Sequence, residues 1–192
     1  MNKKTNKIKA FFLKKELGLV IGIFVGFLVV LSVFLQKNKK NNSFSCSLLE
    51  KQFCSLGKPV YNQNKEFIGI GFKLPKGSKI YVPFESAKLD EKQINLVQIG
   101  NDFYPAGVLL DTTASKSCET KTFLMAYGSP QLNTNQESFK KGESFAVSDN
   151  KIVSQDLGDY NLILGFREFD SKAGGWRNNL DLLKQFFPNL IK

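Results

Sequence analysis

FIGIGFKLPKGSKIYVPF, residues 67–84, is the stretch that decides the fold. Two runs of β-branched, aromatic and glycine residues flank Leu74-Pro75-Lys76-Gly77. Neither run is long enough for a helix, and both have the composition of strands. Between them Pro75 presets its φ and lacks an N–H, while Gly77 supplies the positive φ of a tight turn. The segment therefore predicts strand, turn, strand.

Outward from this stretch the same texture continues. EFIGIGF (66–72), SKIYVPF (78–84), INLVQIG (94–100), AGVLL (106–110), TKTFLMAY (120–127), ESFAVS (143–148) and NLILGF (161–166) are short β-rich runs separated by turn signals. Their spacing predicts a mainly β domain, a sheet or sandwich. Lys140-Lys141-Gly142-Glu143-Ser144-Phe145-Ala146-Val147 echoes Pro75-Lys76-Gly77-Ser78-Lys79-Ile80-Tyr81-Val82: a basic turn with glycine, then an alternating run. A duplicated β half and the chance recurrence of a common turn both fit this echo. Asp156-Leu157-Gly158-Asp159 reads as a turn before the last run. Leu48, Leu49, Phe53 and Leu56 have the spacing of one helical face, predicting a short helix over 45–56. The tail RNNLDLLKQFF (177–187) returns to helical spacing before Pro188 and is expected to pack on the parent sheet rather than on a partner.

The N-terminal part differs. LGLVIGIFVGFLVVLSVFL, residues 17–35, carries no charge. At about 1.5 Å per residue it is long enough to cross a hydrocarbon core of about 30 Å. Gly18, Gly22 and Gly26 fall every four residues, as in close-packed membrane helices, a spacing that ordinary membrane-helix composition also produces. Six lysines precede the run and three follow it closely, so residues 1–16 are expected on the cytoplasmic side. The run is longer than a cleaved signal's apolar core and no small-residue cleavage site follows, which predicts an uncleaved anchor in the cell membrane. The expected organisation is a basic tail (1–16), a transmembrane helix (17–35), a juxtamembrane linker with a short helix (36–57), a β domain (58–170) and a C-terminal helix (171–192), with everything beyond the span extracellular or periplasmic.

Charge and histidine content narrow the chemistry. The chain of 192 residues has a formal charge of +10 and no histidine. Residues 1–40 hold nine lysines and one glutamate, and residues 41–192 hold 18 Lys/Arg against 16 Asp/Glu, so the outer domain is nearly balanced. A nucleic-acid partner needs a concentrated basic face and is not expected; the lysines flanking the span suit lipid headgroups. Lack of histidine removes Ser-His-Asp and Cys-His catalysis and any zinc site that needs an imidazole. Cys118 has no histidine to activate it. The neighbouring acids Asp90 and Glu91, Asp156 and Asp159, and Glu168 and Asp170 read as solvated loops rather than paired catalytic carboxylates. No catalytic residue, metal ligand or cofactor is expected. Of the three cysteines, Cys54 and Cys118 are the favoured disulfide, since residues eight apart in a helix, Cys46 and Cys54, are too distant to bridge; three unpaired thiols are the alternative.

The stretch at 67–84 resembles the first motif of the lysostaphin-type peptidoglycan endopeptidases, with Gly69, Pro75, Gly77 and Pro83 in register. TKTFLMAYGSPQL resembles that family's Tyr-x-His-Leu segment, and residues 161–167 resemble its closing His-Leu-His-Phe-Glu-x-Arg strand, with Arg167 matching. The resemblance covers roughly residues 61–169. It implies a duplicated-hybrid-motif β-sheet sandwich in which Phe67, Gly71 and Ile163 stand where the family has zinc ligands, and Ala126 and Asn161 where it has further histidines. Gly165 stands for the family's glutamate. It therefore implies a non-catalytic relative whose candidate groove is lined by Phe67, Gly71, Ala126, Asn161 and Ile163, binding peptidoglycan or regulating a cell-wall hydrolase. The alternative is a biotinyl- or lipoyl-like hybrid domain serving as an adaptor in an envelope complex, although residues 84–138 show no long heptad run of the kind such adaptors carry.

Overall fold

The computed structural model describes residues 46–113, 120–172 and 174–191. The expected membrane span at 17–35 and Cys118 lie outside the described residues. Among those residues no helix is long and apolar enough to cross a membrane.

Among the described residues twelve strands follow one another in chain order. They are β1 (Lys58–Tyr61), β2 (Phe67–Phe72), β3 (Lys79–Tyr81), β4 (Ser86–Leu89), β5 (Asn95–Ile99), β6 (Asp102–Asp111), β7 (Thr120–Tyr127), β8 (Gln131–Leu132), β9 (Phe139–Lys140), β10 (Ser144–Val147), β11 (Leu162–Asp170) and β12 (Gly175–Asn178). Among the same residues one α-helix, α1 (Leu180–Phe186), ends the domain. The fold is mainly β, and every strand pair is antiparallel. A nine-stranded sheet runs β1-β2-β11-β7-β6-β4-β9, with β12 added beside β11 and β5 beside β6. A smaller sheet runs β3-β10-β8. Each of the seven β-rich runs picked out in the sequence holds a strand.

Both faces of the large sheet are covered, which is why β2 reads FIGIGF without polar alternation. On the first face Ile70, Phe72, Leu124, Leu162 and Leu164 meet Ile80, Phe145 and Ala146 of the small sheet. Leu48 and Leu49, Leu183 and Phe187 close the same cluster, so the core draws on residues before 58 and after 170. On the second face Val60, Met125, Tyr127 and Ile163 meet Tyr104, Val153 and Leu157. Each large apolar side chain buried in this way contributes roughly 1.5–3 kcal/mol.

The two echoed segments meet in the small sheet. β3 follows the turn at Gly77 and β10 the turn at Gly142, and the two strands pair. Gly77 N donates to Ser148 O, and Gly142 N donates to Val82 O, each at 2.9 Å. The glycines have φ of +85° and +83° with open space around them, so backbone conformation rather than crowding requires glycine at both turns. Glu143 accepts from Lys140 N and from Gln136 Nε2, both at 2.8 Å. These bonds hold the second turn and lower the Glu143 pKa.

Three expectations need correction. The helix expected at 45–56 is a turn and a single 3-10 turn, Lys51–Phe53. The chain there folds back, brings the Cα atoms of Cys46 and Cys54 to 5.6 Å and joins them as a disulfide. The Cys54–Cys118 pairing fails because it assumed a regular helix, in which residues eight apart lie about 12 Å apart. The C-terminal helix begins only at Leu180, because Gly175–Asn178 is drawn into the sheet. Asn179 caps α1 by accepting from Leu182 N at 2.8 Å. Phe186 stacks on Phe166 with ring centroids 5.2 Å apart, so α1 packs on its own sheet.

Candidate functional site

The five positions taken from the family resemblance do not line one open groove. Gly71 and Ile163 are direct cross-strand partners of β2 and β11. Both lie on the second face, and both are buried. A Cβ on Gly71 would stand 2.6 Å from Val60 and 2.7 Å from Tyr160, so these side chains fill the space over it. Phe67 lies elsewhere. Val60 stands opposite Gly69 and Tyr61 opposite Phe67, so β2 carries one extra residue, Ile68. That bulge turns Phe67 toward the first face, where it packs beside the other cluster. Ala126 is fully buried on the first face between Gly107 and Leu164.

Asn161 is structural. Its side chain accepts from Leu74 N at 2.8 Å and donates to Leu74 O at 2.7 Å and to Asp149 O at 2.6 Å. It is 6% exposed. Leu74 enters the first glycine turn and Asp149 leaves β10, so this one amide ties the two echoed segments to β11. Its amide is engaged by main-chain groups at both ends, and proton transfer is foreign to an amide.

An open groove lies further along the second face, beyond Gly71 and Ile163. Its floor is Val108 of β6 and Met125 of β7, and its volume is about 410 Å³. One wall is β5, the other is Arg167 of β11 with Trp176 of β12, and Asp90 and Glu91 stand at the rim. The wall at β12 is fixed by Glu168, whose carboxylate pairs with Arg177 at 2.8 Å and accepts from Asn179 Nδ2 at 2.5 Å. Trp176 packs against Phe123 and Phe169, with centroids 5.0 and 5.3 Å away, and remains 47% exposed.

Arg167 links the walls. Its guanidinium lies 5.2 Å from the Trp176 centroid, a cation–π contact, and Nη1 donates to Gln98 O at 2.9 Å. Among the described residues its Nε and the Tyr127 hydroxyl are buried without hydrogen-bond partners. Burial holds the Tyr127 hydroxyl well above the ordinary tyrosine pKa, and the nearby Arg167 charge offsets this in part. Tyr104 shifts the same way through burial and the charges of Asp156 and Asp102, and donates to Asp156 at 3.2 Å.

Among the described residues no group of three or more Cys, Asp or Glu is placed to hold a metal. Sequence reasoning named Arg167 but missed the groove, whose walls come from strands about 80 residues apart in the chain. The signal available was the single tryptophan, Trp176, two residues from a turn glycine. Compared with protein-family models, curated proteins and solved structures, the chain matches none.

Proposed function

We propose that this chain is a membrane-anchored, non-catalytic relative of the lysostaphin-type endopeptidases, a module that binds cell wall or regulates a cell-wall hydrolase. The observation that carries the reading is the pairing of Gly71 with Ile163. The two strands that would bear a carboxylate and an imidazole ligand lie side by side, with a glycine and an isoleucine directly opposed. Neither offers a donor atom, so the water-activating chemistry of a zinc peptidase has no support there. The meeting of the two glycine-turn segments as β3 and β10 supports the duplicated hybrid architecture. The bulge carries Phe67 to the first face, so two of the three ligand positions come together.

The Cys46–Cys54 disulfide supports an oxidising location, in keeping with an anchor whose N-terminus is cytoplasmic and whose domain is outside. The test is co-sedimentation of the full chain, in detergent micelles, with purified peptidoglycan sacculi, together with zinc analysis of the same preparation. Retention on sacculi without stoichiometric zinc is the expected result. Bound zinc with muropeptide cleavage overturns the non-catalytic reading, and absence of binding both to sacculi and to purified cell-wall hydrolases overturns the cell-wall reading.

A further inference from the structure

The outer edge of β5 faces the groove and is open except at Gln98 O, which accepts from Arg167. Pro105, opposite Leu96, has no N–H, and its carbonyl accepts from Gly128 N at 2.7 Å on the far side of β6. Leu96 and Pro105 thus exchange no ladder hydrogen bond, and by alternation neither do Gln98 and Phe103. The N–H and C=O groups of Leu96 and Gln98 therefore point away from β6. Arg167 gives the same direction independently, since it reaches Gln98 O from the opposite wall. Among the described residues no partner satisfies Leu96 N, Leu96 O or Gln98 N. The strand carries no charge to guard this edge, and Leu96 is 73% exposed.

We infer that β5 is a strand-addition site for an extended segment of a protein partner, one that carries a basic side chain. An extended peptide main chain meets the three open groups with a donor and an acceptor opposite Leu96 and a further acceptor two residues on, about 7 Å away, opposite Gln98 N. The basic side chain follows from the rim. Asp90 and Glu91 are both exposed, Glu91 accepting only from the neutral Gln93 amide at 3.0 Å, and Arg167, the one cation of the lining among the described residues, is already held by Gln98 O and the Trp176 ring. A second copy of this chain fits less well, because its β5 is uncharged and would leave Asp90 and Glu91 without a cation. Strand addition at β5 is independent of any cell-wall role.

The full chain in detergent micelles tests it with a blocked seven-residue peptide alternating threonine and valine around a central lysine. Trp176 is the only tryptophan, so its fluorescence reports directly on the groove. A saturable change is expected. N-methylation of the peptide's edge-facing amides should weaken binding about tenfold or more, the scale of lost ladder hydrogen bonds. Replacing the lysine by glutamate should weaken it about tenfold, and the double variant Asp90→Asn, Glu91→Gln, at exposed positions, should abolish that preference. No saturable change at millimolar peptide, equal binding of the N-methylated peptide, or equal binding of the glutamate peptide overturns the inference.

Discussion

The two ends of the same sheet face make opposite environments. At one end of β11, Ile163 lies against Gly71 under Val60 and Tyr160, and the surface is sealed by apolar packing. Two residue pairs further along, Arg167 and Trp176 stand beside an open groove with a free strand edge. β11, LILGFREFD, turns from apolar to charged at Arg167, but its sequence alone does not say what covers either end. The cover separates them. The segment carrying Val153, Leu157 and Tyr160 lies over one end, while β5 and β12 only flank the other. Position on a sheet thus gives a residue its neighbours, but the connecting segments decide whether those neighbours include water.

The hardest test of the sealed end is Gly71→Asp, which restores the carboxylate the family resemblance would place there. The new side chain overlaps Val60 and Tyr160 and buries an unpaired charge, so a loss of about 4 kcal/mol or more is expected in urea denaturation, with no gain in zinc affinity. A stable, zinc-binding variant would break the comparison, because it would show the sealed end to be a competent site. Asn161→Ala should cost less, about 2–4 kcal/mol, because Leu74 N, Leu74 O and Asp149 O lose their buried partner. At the open end Trp176→Ala should cost only about 1 kcal/mol, the scale of a half-exposed cation–π contact and its ring neighbours. A cost comparable to Asn161→Ala would mean that the groove wall is core and not binding surface.

These contrasts also show what the sequence disclosed. The β class and the strands of the central runs were legible because alternation, β-branching and glycine turns are local properties. Phe67 was misplaced because a bulge shifts every residue before it to the other face, and nothing in FIGIGF announces which residue is extra. β12 was hidden because Trp176, Arg177 and Asn178 take their strand conformation from pairing with β11. Local helical spacing there describes only the residues after Asn179. The Cys46–Cys54 bridge was missed for the same reason, an apolar pattern read as helix where the chain turns back. The groove depends on β5, β11 and β12 together, and such an assembly of distant segments has no local pattern.

Tyr127 lies between the two ends, paired with Ile163 on β11 and close to Arg167, and it gives the smallest and most discriminating test. Among the described residues its hydroxyl is buried without a hydrogen-bond partner, so Tyr127→Phe should change stability at pH 7 by less than about 1 kcal/mol. The alkaline limb carries the sign. A tyrosine whose folded pKa is raised favours the fold fully below its unfolded pKa of about 10. Above that value the unfolded chain ionises while the folded chain does not, so stability falls as pH rises toward the folded pKa. Tyr104 adds to the same fall. Tyr127→Phe should therefore flatten part of the loss in stability between about pH 10 and pH 11, followed by thermal melting across that range. A large loss at pH 7 would instead show that the hydroxyl is bonded to Arg167, and that the sealed and open ends are joined by one polar link.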